Sequence, residues 1–226
     1  LQFDLIEKHN KDPKTGLYYH GWDESKAQRW ADKETGLSPN FWSRGMGWYG
    51  MALVDILVVE NEEQAEQALS VLRQQESVGY DTESKPIFRK GEVSPGPTLI
   101  QLATLTQGFL FPTRFPAALA AAAEILGNAK IQKVGFGLKD DNRELRGKLG
   151  MSIVNTEDLS LTLKRLAGEK NTIGARAGVA MVLQARLMKG AQKSNWGAYP
   201  LSESQILYGA NDAHSAICIQ HKLNGG

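Results

Sequence analysis

Apolar positions change period along the chain, and the changes mark its elements. Between residues 62 and 73, Ala65, Ala68, Leu69 and Leu72 fall on one helical face, which predicts a helix. The next run, Ser77-Val78-Gly79-Tyr80-Asp81-Thr82-Glu83, is short and apolar and ends in two acids one residue apart, so it reads as a buried strand with a charged tip. Residues 98–104 and 108–112 predict two further strands, and the short gap between them predicts an antiparallel meander. Pro116 opens an alanine-rich helix to about Leu126, residues 131–137 predict another strand, and helices follow at about 141–149, 158–167, 174–185 and 202–223. This order predicts an α/β fold with a mixed sheet.

The first quarter reads differently. Turn signals at residues 9–16 and at Thr35-Gly36 enclose a short extended piece at 17–22, and Ser38-Pro39 predicts the cap of a helix running to about Asp55. Tyr18, Tyr19, Trp22, Trp30, Phe41, Trp42, Trp48 and Tyr49 crowd into this segment together with His20 and Arg44. Rings beside an arginine suit a sugar that bears a carboxylate, although a helix pair that buries its aromatics has the same pattern. At Ile56 the helical period gives way to a β-branched run, which predicts a domain boundary: residues 1–56 and residues 57–226.

Composition narrows the possibilities. The 226 residues carry 26 Lys and Arg against 25 Asp and Glu, so no global positive field draws a polyanion, which would have to be held locally or through metal. Cys218 is the only cysteine, which excludes an intrachain disulfide and a cysteine-rich zinc site. No apolar stretch is long enough to span a bilayer and no initiator methionine is present, so the expectation is a soluble, cytoplasmic chain cut from something longer or processed.

The acids offer the chemistry. Strand alternation projects Asp81 and Glu83 the same way, and two carboxylates side by side are expensive unless a cation lies between them. Asp141 follows a strand at the same end of the expected sheet, and Asp212 lies four residues after Tyr208 on one face of the last helix. Singly, Asp141 is an acid at a helix start and Asp212 a solvated helix residue. Together, four acids from three elements can gather round two divalent ions that clamp a phosphodiester in line. Lys189, Lys193 and Trp196, with Arg186 upstream, would suit backbone phosphates and a stacked base, or form a solvated basic loop. His214 points off the Asp212 face and reads as structural.

Two families are resembled. Residues 79–86, 99–103, 133–141, 189–196 and 208–213 resemble, in order, the 3′–5′ exonuclease domain of the DEDDy superfamily, which includes ribonuclease D and the Werner-type exonuclease. The resemblance implies an RNase H-like mixed sheet flanked by helices and removal of nucleoside 5′-monophosphates from a nucleic-acid 3′ end with two Mg²⁺ or Mn²⁺. It implies that Asp81, Glu83 and Asp212 hold metal, that Asp141 acts through a metal-bound water and that Tyr208 orients the attacking water. Asn155 stands where related sequences often carry an aspartate, and residues 174–178 are more glycine-rich than a good helix would choose. The segments at 20–25, 30–39 and 41–49 resemble the unsaturated rhamnogalacturonyl hydrolases of glycoside hydrolase family 105, with His20, Trp42, Arg44 and Trp48 as implied sugar-pocket residues. That resemblance covers too little chain for the family's helical barrel, so a truncated relic is expected. The alternatives are a glycosidase represented by this fragment and a nucleic-acid-binding module without activity.

Overall fold

In the computed structural model the described residues are 5, 8–14, 18–40, 55–86, 93–187 and 190–225. The chain divides into two compact units, Leu1–Ala52 and Leu53–Gly226. The expected helix from residue 39 falls mostly outside the described residues. In the first unit, short bridges pair Lys11 with Tyr18 and Trp22 with Leu37. The His9 ring stacks on Trp22 at 3.9 Å, and the Trp22 indole donates to the Thr35 carbonyl. Asp23 and Asp32 close tight turns by accepting from the backbone N–H groups of Ser25, Gln28, Glu34 and Thr35.

The second unit is a mixed sheet flanked by helices. Its strands are β1 (Asp55–Val58), β2 (Ser77–Ser84), β3 (Pro97–Ala103), β4 (Gln107–Pro112), β5 (Gln132–Gly135) and β6 (Thr156–Asp158), in the order β1-β4-β3-β2-β5-β6. The expected meander is β2-β3-β4, antiparallel throughout, while β1, β5 and β6 join their neighbours in parallel. The helices are α1 (Glu62–Leu72), α2 (Pro116–Gly127), α3 (Leu138–Leu149), α4 (Leu159–Ala167), α5 (Ala175–Leu183) and α6 (Glu203–Leu223).

Strand alternation divides the core into two layers. Val78, Tyr80, Ile100, Leu102, Phe109 and Phe111 pack against α1, α2 and the buried leucines of α3. The opposite face, with Gly79, Asp81, Leu99, Gln101 and Ala103, is covered by α6, where Ala103 meets Ala213 and Ile217 and Leu99 meets Tyr208. Ser202 caps α6 in a reciprocal capping box with Gln205, which fixes the start of this long helix.

Two departures from expectation have local causes. The β5 strand stops at Gly135 because Gly137 adopts φ 67° and ends the extended run, so α3 begins at Leu138, three residues earlier than expected. Gly178 suits a close contact, since a Cβ there would stand 2.8 Å from a Leu163 methyl and 2.9 Å from the Phe136 ring and would make those side chains shift.

Candidate active site

Three elements converge at one end of the sheet. Asp81 and Glu83 lie near the end of β2, Asp141 lies in the first turns of α3, and Tyr208 and Asp212 occupy α6. The chain brings α6 onto β2 through a missing side chain. A Cβ on Gly79 would stand 1.9 Å from the Ala213 carbonyl oxygen, so only glycine lets the helix backbone lie this close, two residues before Asp81 and next to Asp212. Gly135 plays a similar part for β5, because a Cβ there would be 2.3 Å from the Tyr80 carbonyl oxygen.

The electrostatics follow from this crowding. Burial, then the neighbouring charges of Asp212, Asp141 and Glu83, push the Asp81 carboxyl well above the usual carboxylate range, against the one backbone N–H, from Thr82, that it accepts. Burial also raises the Asp141 carboxyl, opposed by a hydrogen bond from the Thr82 hydroxyl. Thr82 alternates with Asp81 on the strand, so Asp141 is engaged from the other side of β2. The Tyr208 hydroxyl is held far above its ordinary range by burial, by the Asp212 charge and by its hydrogen bond to that carboxylate. Tyr208 therefore keeps its proton at neutral pH.

Supporting residues set these positions. Asp158 accepts from the N–H groups of Gly137, Leu138 and Ser160, and so caps α3 and α4 with one carboxylate. That fixes the start of the helix carrying Asp141. The hydroxyl of Tyr80 donates to Asn142 on the same helix at 3.2 Å. Asp158, Thr82, Gly79 and Gln101 were not legible as site residues, although a glycine inside an apolar strand run signals close backbone approach.

The remaining expectations divide. Trp196 is 2% exposed and packs against Tyr208 with ring centroids 5.8 Å apart, so it is a core residue that braces Tyr208 and cannot stack on a base. Lys193 is exposed. Lys189, Trp42, Arg44 and Trp48 lie outside the described residues. His20 lines a cavity of about 630 Å³ in the first unit, with Trp22, Trp30, Ser38 and Pro39. The ring of His214 lies 2.9 Å from the Leu105 carbonyl oxygen and 3.4 Å from the Cys218 sulfur, in keeping with a structural part. Among the described residues, no three His, Cys, Asp or Glu side chains already stand grouped as metal ligands, and no helix is long and apolar enough to cross a membrane.

Comparison with known proteins gives two matches of family models. Residues 1–77 match glycosyl hydrolase family 88, and residues 56–225 match a 3′–5′ exonuclease family. The first match reaches past the expected boundary at 56 and over β1 and α1. A 50-residue stretch is 54% identical to Protein Atu3128 of Agrobacterium fabrum, 22% of each chain. A 3′–5′ exonuclease of Arabidopsis thaliana is 30% identical over 189 residues, 76% of this chain and 62% of that one. The chain thus spans less than two thirds of the length of these relatives. Ribonuclease D of Trypanosoma brucei, solved in complex with RNA U12, shares the fold with a TM-score of 0.69 at 18% identity, covering 82% of this chain and 67% of that one. With its sheet, its helices and three quarters of its length in register with that family's model, the chain belongs to the 3′–5′ exonuclease family.

Proposed function

We propose that the second unit hydrolyses phosphodiester bonds one at a time from the 3′ end of a nucleic acid, releasing nucleoside 5′-monophosphates, and that it uses Mg²⁺ or Mn²⁺. The observation that carries this reading is the environment of Asp81, a partly buried carboxyl whose ionisation is opposed by desolvation and by the charges of Asp212, Asp141 and Glu83. Oxygen donors that repel one another in a partly buried place fit a hard divalent cation, which relieves that repulsion. Asp81, Glu83 and Asp212 would hold the ions, with Asp141 beside them. When bound, such ions activate water and neutralise charge that develops on the phosphate.

The chain's own groups do the rest. Tyr208 keeps its proton, so it orients by hydrogen bonding and does not act as the base. Asp212 accepts from it and thereby fixes the phenol over the site. Trp196 holds the other side of the ring and restricts its rotation. The exposed Lys193, and Lys189 before it in the sequence, supply charge for the phosphates of the incoming strand. The ribonuclease D that shares this fold was solved with RNA, which supports a single-stranded substrate. The first unit is a remnant of a glycosyl hydrolase that takes no part in this reaction.

The test is direct. Single-stranded RNA and DNA labelled at the 5′ end should shorten stepwise with Mg²⁺ and yield 5′-mononucleotides. Stepwise shortening by Asp81→Asn at the wild-type rate, or immediate release of the 5′ label as a mononucleotide with no shortened ladder, would overturn the assignment.

A further inference from the structure

We propose that Gln101 is a positioning residue of the acid cluster, one whose buried amide holds the turn of α6 carrying Tyr208 and Asp212 at its working distance from Asp81. This rests on the nuclease reading of that cluster. Gln101 is fully buried, yet among the described residues neither its amide nitrogen nor its amide oxygen has a hydrogen-bond partner. It stands directly across the antiparallel ladder from Asp81, on the same face of the sheet. Its amide also lies against α6, because a Cβ on Gly209 would come within 3.3 Å of Nε2 and 3.4 Å of Cδ. Gly209 follows Tyr208 and precedes Asp212 by three residues, so the amide sits beneath the one helical turn that bears both groups.

Folding stability alone would favour an apolar side chain here. Leu99, Leu110 and Trp196 make up the nearby core, and a buried amide without hydrogen bonds weakens a fold that leucine or methionine would strengthen. What the amide offers that an apolar chain does not is two donors and an acceptor among acids that repel each other. Standing opposite Asp81 on the ladder and against the α6 turn, those donors give the crowded carboxylates a dipole to face, which an apolar chain cannot. Gly209, with no side chain, lets the Gln101 amide lie directly against the backbone of the α6 turn between Tyr208 and Asp212.

The test uses the full chain with Gln101→Met and Gln101→Leu, which keep bulk and remove both polar atoms. Thermal melts in EDTA, calorimetric titration with MnCl₂ and steady-state kinetics on an end-labelled oligonucleotide are compared with wild type. A positioning role gives variants at least as heat-stable as wild type, at least tenfold weaker for Mn²⁺ and at least tenfold lower in kcat, with KM within twofold. Mn²⁺ affinity and kcat both within twofold of wild type would overturn it, and so would failure of both variants to fold, which assigns Gln101 to the core. If wild type degrades no oligonucleotide, the nuclease reading fails while the Mn²⁺ titration still decides the part played by Gln101.

Discussion

Gly79 and Ala213 touch backbone to backbone: the Cα of the first lies so near the carbonyl of the second that a methyl group between them would be 1.9 Å from the oxygen. No rotamer change relieves such a clash, because both partners are main chain. Gly79→Ala must therefore lift α6 from β2 and separate Asp212 from Asp81. The expected cost is about 3 kcal/mol or more of stability, read by urea denaturation, with loss of nuclease activity even where the protein remains folded.

Tyr208 is tied to Asp212, and burial beside that charge holds its hydroxyl above the ordinary tyrosine range. Tyr208→Phe removes the hydroxyl while leaving the ring that packs on Trp196, so the fold should persist. The kcat is expected to fall by roughly 10²-fold with little change in KM. The pH profile of the wild type should have no basic limb assignable to a tyrosine near pH 10.

Asp81 has a raised carboxyl, so the folded chain binds a proton there that the unfolded chain has already released. Stability from this group is present at low pH and is lost as the pH rises through the folded-state value. In EDTA at pH 7 to 8, Asp81→Asn is therefore expected to melt higher than wild type, by on the order of 2–4 °C. The same variant should be inactive. Equal melting temperatures would mean that the acids do not repel one another in the folded protein.

Lys133 is wholly buried in β5, where its ammonium donates to the carbonyls of Asn128 and Ile131. Burial pulls it down to about 8. An unfolded lysine holds its proton to about 10.4, so between these values the unfolded state binds more protons and stability from this group rises with pH. Denaturation midpoints from pH 8 to 9.5 should show a smaller slope for Lys133→Met than for wild type.

Much of this architecture is readable in the residues, and what is not readable has identifiable reasons. The meander and the long helices follow from sustained periodicity, which survives tertiary packing. The short β6 strand, Thr156–Asp158, carries no such period, since three polar residues pair with β5 only because the sheet edge is already there. Asn155 looked like a departure, but it adopts φ 52° and its amide donates to the Ala129 carbonyl, two things an amide side chain does better than an aspartate. In the basic loop the charge of Lys193 is visible as such, whereas nothing in the sequence marks Trp196 as interior. Gln101 was legible only as part of a resembling segment, because an unpartnered amide is a property of packing.

The two halves of the acid cluster lie near opposite ends of the second unit, on β2 and on α6, the last described helix. Contacts of such wide sequence separation carry a large loop-closure entropy and slow folding. Asp212 therefore joins Asp81 only when α6 docks on β2, so a polypeptide cut before residue 203 holds the first pair of acids without their counterpart.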